Sequence, residues 1–205
     1  MPPRLPGAAT VIPVAVPASV AVVETQLRGG SSLRVPMSPE EFRALGETKH
    51  AEYYDGMCVV NPPSRRHVVA VRRLARRLED ACPAGFTVYP DWGWRIARHV
   101  YEPDIMVAPV DAPEDELVAA PLLVVEVLSP STRDADLGSK MAEYATAGAP
   151  WYWTLAGPED RLGISLVVWR NGGAGFVEAQ RIQGGSRQQI IAPIAIAMDP
   201  QDLFA

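Results

Sequence analysis

Cysteine is nearly absent: the 205 residues hold only Cys58 and Cys82. They form no CxxC pair and no metal-ligand cluster. That argues against a disulfide framework or a zinc ribbon, and two reduced thiols fit a cytoplasmic protein. Surplus positive charge is missing too. Nineteen Lys and Arg face 24 Asp and Glu, giving a formal net charge of -5 and a pI of about 5.2. A general nucleic-acid coat protein needs positive potential, so that class is disfavoured. An enzyme that holds metal with carboxylates and keeps a local basic patch is not. No membrane span is evident. The run Val11 to Val23 is too short and is interrupted by Pro13 and Pro17. Arg4 is its only early charge and no clean cleavage site follows, so it does not read as a signal peptide either. No internal repeat is visible.

What is present is a globular composition, 48% apolar and 21% charged, in a chain long enough for one full core. Residues 1–36 are rich in Pro, Ala and Val without periodicity and are expected to form a flexible extension. Residues 37–205 are expected to form a single domain. Its first signal is a capping box, Ser38-Pro39-Glu40-Glu41. Asp55-Gly56 between Ala51–Tyr54 and Met57–Val60 predicts a hairpin. A helix is predicted from about Ser64 to Asp80, with Val71, Leu74, Ala75 and Leu78 as its buried stripe. Strands are expected near 86–89, 92–96, 104–108 and 122–128. The last is apolar almost throughout, as a strand covered on both faces would be. A second helix is expected from about Asp134 to Ala147, stopped by Gly148 and Pro150. Strands near 151–155, 164–170 and 176–181 complete a mixed α/β domain with helices packed on a curved sheet.

One constellation carries chemistry. Asp104 follows Pro103 at the start of an apolar strand, and Glu126 interrupts the run Leu122 to Leu128. A carboxylate inside such a strand is costly unless it is paired or binds metal. If the two strands pair, both carboxylates converge on one ion, and oxygen ligands suit Mg²⁺ or Mn²⁺. The plainer reading is a Glu126 salt bridge to an arginine and an Asp104 that caps a turn. Asp136, Lys140 and Tyr144 recur every four residues on the following helix and share one face. Lys140 is either an ordinary helix-pair partner of Asp136 or a cation aimed at the metal site, where it would orient water and offset phosphate charge.

Several segments carry a resemblance. They are His50 to Gly56, Glu102 to Val107, Val124 to Thr132, Asp136 to Tyr144 and Ala147 to Trp153. Together they resemble the Uma-two family of restriction-endonuclease domains, long filed as a domain of unknown function. The run Glu126-Val127-Leu128-Ser129-Pro130-Ser131-Thr132 is the most specific. The likeness covers about Met37 to Glu178, with a weaker echo at Asp199 to Phe204. It implies the restriction-endonuclease-like, PD-(D/E)XK nuclease fold. It implies that Asp104, Glu126 and the Val127 carbonyl hold Mg²⁺, with Mn²⁺ as a substitute, and that Lys140 completes the catalytic set. Two departures stand out. The superfamily lysine usually lies two residues after the strand Glu, where this chain has Leu128. Ala156-Gly157-Pro158 stands where relatives tend to carry an Asp.

The expected activity is Mg²⁺-dependent endonucleolytic hydrolysis of DNA, with a homodimer by analogy only. The rivals are a nuclease-like fold that binds nucleic acid or protein without cutting, and a hydrolase of smaller phosphate esters. Glu52 adds a carboxylate to the site or is an exposed hairpin charge. His67 reads as a cap or surface residue before a catalytic one. Ser129 and Thr132 contact phosphate or shape the turn. Arg65, Arg66, Arg72, Arg73, Arg76 and Arg77 form either a solvated helix face or a phosphate-contacting stripe. The alternating Trp92, Trp94, Trp151 and Trp153 are expected to pack within the sheet.

Overall fold

The computed structural model describes residues 33–46, 50–113, 115–161 and 163–205. Most of the expected extension lies outside these residues. Its last four do not: Leu33–Pro36 is a strand, β1, and pairs antiparallel with β3, Met57–Val60. These four residues of the expected extension are thus part of the small sheet. Helix α1, Pro39–Ala44, carries the expected reciprocal cap: Ser38 Oγ accepts from Glu41 N–H at 3.2 Å, and Glu41 accepts from Ser38 N–H at 2.7 Å. The predicted hairpin joins β2, Ala51–Tyr54, to β3. Asp55 and Gly56 take φ of 52° and 71°, the left-handed pair that a tight two-residue turn requires. Strands β5, Trp94–Ile96, and β6, His99–Tyr101, complete a five-stranded sheet in the order β1-β3-β2-β6-β5.

The larger sheet positions the site. It has six strands in the order β11-β10-β9-β8-β7-β4. These are Phe86–Pro90 (β4), Ile105–Pro109 (β7), Leu123–Leu128 (β8), Trp151–Ala156 (β9), Ser165–Asn171 (β10) and Phe176–Gln183 (β11). Only β8 and β9 run parallel; the other neighbours are antiparallel. A short pair, Gln188–Ile190 (β12) with Ile196–Met198 (β13), and a 3-10 turn, Pro200–Leu203, follow.

Helix α2, Arg65–Glu79, buries Ala70, Val71, Leu74, Ala75 and Leu78. That stripe packs on Ile105, Val107, Leu123 and Val125, one face of the large sheet. The opposite face carries Met106, Val124 and Tyr152 and meets Tyr54, Val59, Trp94 and Tyr101 of the small sheet. Strand β8 is thus covered on both sides, which explains its nearly continuous apolar run. Trp94 and Trp153 are fully buried in these layers, as sheet packing requires.

The helix expected over 134–147 is two helices, α3 (Arg133–Asp136) and α4 (Ser139–Thr146). The break falls at Gly138, with φ -122° and ψ -102°. A Cβ there would stand 2.6 Å from the Asp134 carbonyl oxygen, so the bend closes tighter than any side chain allows. Nevertheless Asp136, Lys140 and Tyr144 still turn toward the same place.

Candidate active site

The site forms where β7 begins and β8 ends. Ile105 lies opposite Val125 and Met106 opposite Val124. Asp104 stands immediately before β7 and Glu126 lies within β8. Asp104 is anchored further, since its Oδ2 accepts from Val127 N–H at 2.6 Å. The contact shown for Val127 is thus through its N–H. Asp104 and Glu126 both border one cleft, and the Asp104 charge acts on the Glu126 carboxyl.

Lys140 reaches Glu126 from α4. Its Nζ lies 2.9 Å from Glu52 Oε1, 3.3 Å from Glu126 Oε1 and 3.4 Å from Asp136 Oδ1. All four side chains are buried. Tyr144, one turn on, donates to Glu126 Oε1 at 2.9 Å. Glu52 also accepts from Glu102 N–H at 3.0 Å, so it is a buried member of the site and not an exposed hairpin charge. The electrostatics follow from burial. It pushes the Glu126 carboxyl well above its usual range, with the Lys140 charge pulling back. It pushes Asp136 up to about 6, again against Lys140. Burial also works against the Lys140 charge, but Glu126, Glu52 and Asp136 outweigh it and hold the ammonium protonated. Three carboxylates around one ammonium leave an excess of negative charge that protons or a cation must balance.

His67, read from the sequence as a cap or surface residue before a catalytic one, and Glu102 also line the cleft. His67 Nε2 lies 2.8 Å from Asp104 Oδ1. Burial opposes its charge, but the bond to Asp104 and that carboxylate's charge raise its pKa overall. It sits there because Ser64 caps α2, accepting from His67 N–H at 3.2 Å, which sets the first turn beside β7. Burial, with the charges of Asp91 and Glu52, raises Glu102 to about 8. Its Oε2 is buried and has no hydrogen-bond partner among the described residues. A sequence signal existed for Asp136 and Tyr144, which share the phase of Lys140. None existed for His67, 37 residues from its partner.

These groups line a cleft of about 510 Å³. Its walls carry nine Asp or Glu side chains against four Lys or Arg. Such an oxygen-rich, negative donor set suits a hard divalent cation. Both hydrogen bonds to Glu126 among the described residues fall on Oε1, leaving Oε2 for a ligand. Among the described residues no group of three or more His, Cys, Asp or Glu is arranged to hold a metal ion. A cation here would therefore rest on Asp104, Glu126 and main-chain or water oxygens, and on that donor chemistry the residues fit Mg²⁺ or Mn²⁺.

The arginines divide. Arg66 pairs with Glu159 and Arg133 with Asp160 at the cleft. Arg73, expected on the polar stripe, instead donates to the carbonyls of Asp202 at 3.2 Å and Leu203 at 3.3 Å, and to Ala205. Arg77 lies 3.5 Å from Asp202 Oδ2. Arg65, Arg72 and Arg76 are exposed. Ser129 Oγ is 3.0 Å from both Ser131 Oγ and Thr132 Oγ1 and accepts from Thr132 N–H, so it shapes the turn after β8.

A mixed central sheet with flanking helices and a carboxylate pair at its strand ends defines a restriction-endonuclease-like fold. The chain superposes with a TM-score of 0.64 on a crystal structure from Anabaena variabilis ATCC 29413 described as "a putative nuclease belonging to DUF820". The two are 19% identical over 82% of this chain and 98% of that one, a likeness that shows the fold. A family model described as "Uma2: Putative restriction endonuclease" matches residues 39–197, and the chain belongs to this family. No curated protein matches it. Among the described residues no helix is long and apolar enough to cross a membrane.

Proposed function

We propose that the protein is a divalent-metal-dependent endonuclease that hydrolyses DNA phosphodiester bonds. One observation carries the reading: Asp104 and Glu126 line the same cleft, with buried Lys140 on the latter. The family description and the nuclease-like fold support it. Asp104, Glu126 and the Val127 carbonyl are the candidate holders of Mg²⁺ or Mn²⁺. When bound, such an ion supplies Lewis-acid stabilisation of charge on the scissile phosphate. Lys140 Nζ orients the attacking water and offsets that charge. His67 fixes Asp104, and Tyr144 fixes Glu126. Arg66, with Arg65 at the same helix start, and Thr132 are candidate phosphate contacts at the cleft. Two copies acting together would cut both strands, and the protein would work in the cytoplasm.

Purified protein is expected to nick supercoiled plasmid only when Mg²⁺ or Mn²⁺ is added. Glu126→Ala should lower the rate by about 10²-fold or more. Nicking that persists unchanged in Glu126→Ala would mean a contaminant and sink the proposal. The second reading, a nuclease fold that binds without cutting, draws on the three carboxylates that hold Lys140. It requires no heat of Mn²⁺ binding in calorimetry by the folded protein, whereas the nuclease reading requires such heat and its loss in Glu126→Ala.

A further inference from the structure

The cleft does not end at Lys140. A second depression of about 290 Å³ opens beside it. Glu52, Asn61, Ser131, Thr132 and Lys140 line both spaces. The far wall of the second is β1. Arg34 lies opposite Val59, and Val59 lies opposite Glu52. The three therefore form a row across β1, β3 and β2 on one face, leading from solvent to Lys140. Strands sit about 4.8 Å apart, so the Arg34 and Glu52 backbones are separated by roughly 10 Å.

Arg34 differs from three of the cations at the cleft. Arg66, Arg133 and Lys140 are each held by a carboxylate. Among the described residues Arg34 enters no ion pair. Its guanidinium stands 5.7 Å from the centre of the Tyr54 ring, within cation–π range. That contact steadies an exposed arginine without neutralising it. The hydroxyl-bearing turn at Ser131 and Thr132 faces it across the depression. A charged guanidinium with uncommitted donors, near hydroxyls, suits a phosphate group.

We propose that this depression is a phosphate subsite, in which Arg34 binds a second phosphodiester of the strand held at Asp104 and Glu126. The inference rests on the nucleic-acid reading above. At a rise of about 3.4 Å per stacked nucleotide, the subsite lies within roughly three nucleotides of the scissile bond.

The test is fluorescence anisotropy with a labelled DNA oligonucleotide over a salt series. Ca²⁺ replaces Mg²⁺, and gels verify that the strand stays whole. Arg34→Ala and Arg34→Gln should weaken binding about 5–20-fold and lower the slope of log K against log salt by about one. Arg34→Lys should keep the slope, and Arg187→Ala, outside the cleft, should change neither quantity. Because Arg34 is exposed, the melting temperature should not move. If the wild type binds and cuts DNA while Arg34→Ala and Arg34→Gln match it in affinity and slope, the subsite is refuted alone. If the wild type binds no oligonucleotide, the subsite and the nuclease reading fall together.

Discussion

Lys140 of α4 and Arg66 of α2 are both helical cations at one cleft, in opposite surroundings. Lys140 is 6% exposed and its partner Glu126 is 4% exposed. Arg66 and its partner Glu159 are 53% and 65% exposed. An exposed pair competes with water and salt and contributes about 0–1 kcal/mol. A buried one has no such competitor, and losing a partner strands a charge in a poorly solvating interior. The six arginines dominate the charge pattern of the sequence, yet buried Lys140 dominates the electrostatics of the site.

The strongest way to break this comparison is Lys140→Ala. It leaves Glu52, Glu126 and Asp136 buried without their counter-ion, and the expected cost at pH 7 is about 3–5 kcal/mol. The deficit should shrink as pH falls, because the stranded carboxylates then take up protons. Urea unfolding of wild type and variant at pH 7 and pH 5 measures both effects. A loss below about 1 kcal/mol would mean that Lys140 is no better placed than a surface cation.

The second effect needs no mutation. In metal-free protein Asp136 is raised from 3.8 to about 6 and Glu102 from 4.5 to about 8. Both folded-state values exceed the unfolded ones, so the folded protein holds protons that the unfolded chain has released. Stability is then greatest at the acid end and falls as pH rises from about 4 to about 8. His67 works in the same sense: raised above 6.5, it contributes below that pH and loses the contribution as pH climbs through its folded value. The expected fall in EDTA is on the order of a few kcal/mol. Mg²⁺ should restore much of it, since a cation replaces the protons. A denaturation midpoint that rises from pH 5 to pH 8 in EDTA would overturn this account.

The residue pattern revealed the site's strands better than its surroundings. Asp55-Gly56 announces the hairpin because both positions need positive φ. Glu126 stands out because an acid in a doubly covered strand must have a reason to be there. Asp104 and Glu126 could be paired on paper once two adjacent strands were drawn. Other features depend on contacts that spacing does not encode. Strand β1 carries no periodicity strong enough to see, and its partner β3 lies more than twenty residues away. Gly138 looks tolerable inside a helical pattern, yet the chain bends there onto the Asp134 carbonyl. His67 resembles any residue in a capped first turn until α2 is laid beside β7. The contacts of Arg73 were hidden for a related reason, because its targets are the main-chain carbonyls of Asp202 and Leu203.

That last point yields the smallest effect, and it splits neighbours on one helix. Arg73 holds the 3-10 turn Pro200–Leu203 against α2 through hydrogen bonds to main-chain oxygens. Removing it leaves those acceptors to water or unmet, so Arg73→Ala should cost about 1 kcal/mol. Arg72 is exposed and lines a separate groove with Val68, Val71 and Ala75. Arg72→Ala should change stability by less than about 0.5 kcal/mol. Urea midpoints of the two variants, measured side by side, decide the matter. If Arg72→Ala proved the more damaging, the helix stripe would have a structural role that its exposure denies. If the two were equal, the contacts of Arg73 would be no stronger than those of a solvated side chain, and the contrast between buried and exposed cations would narrow to Lys140 alone.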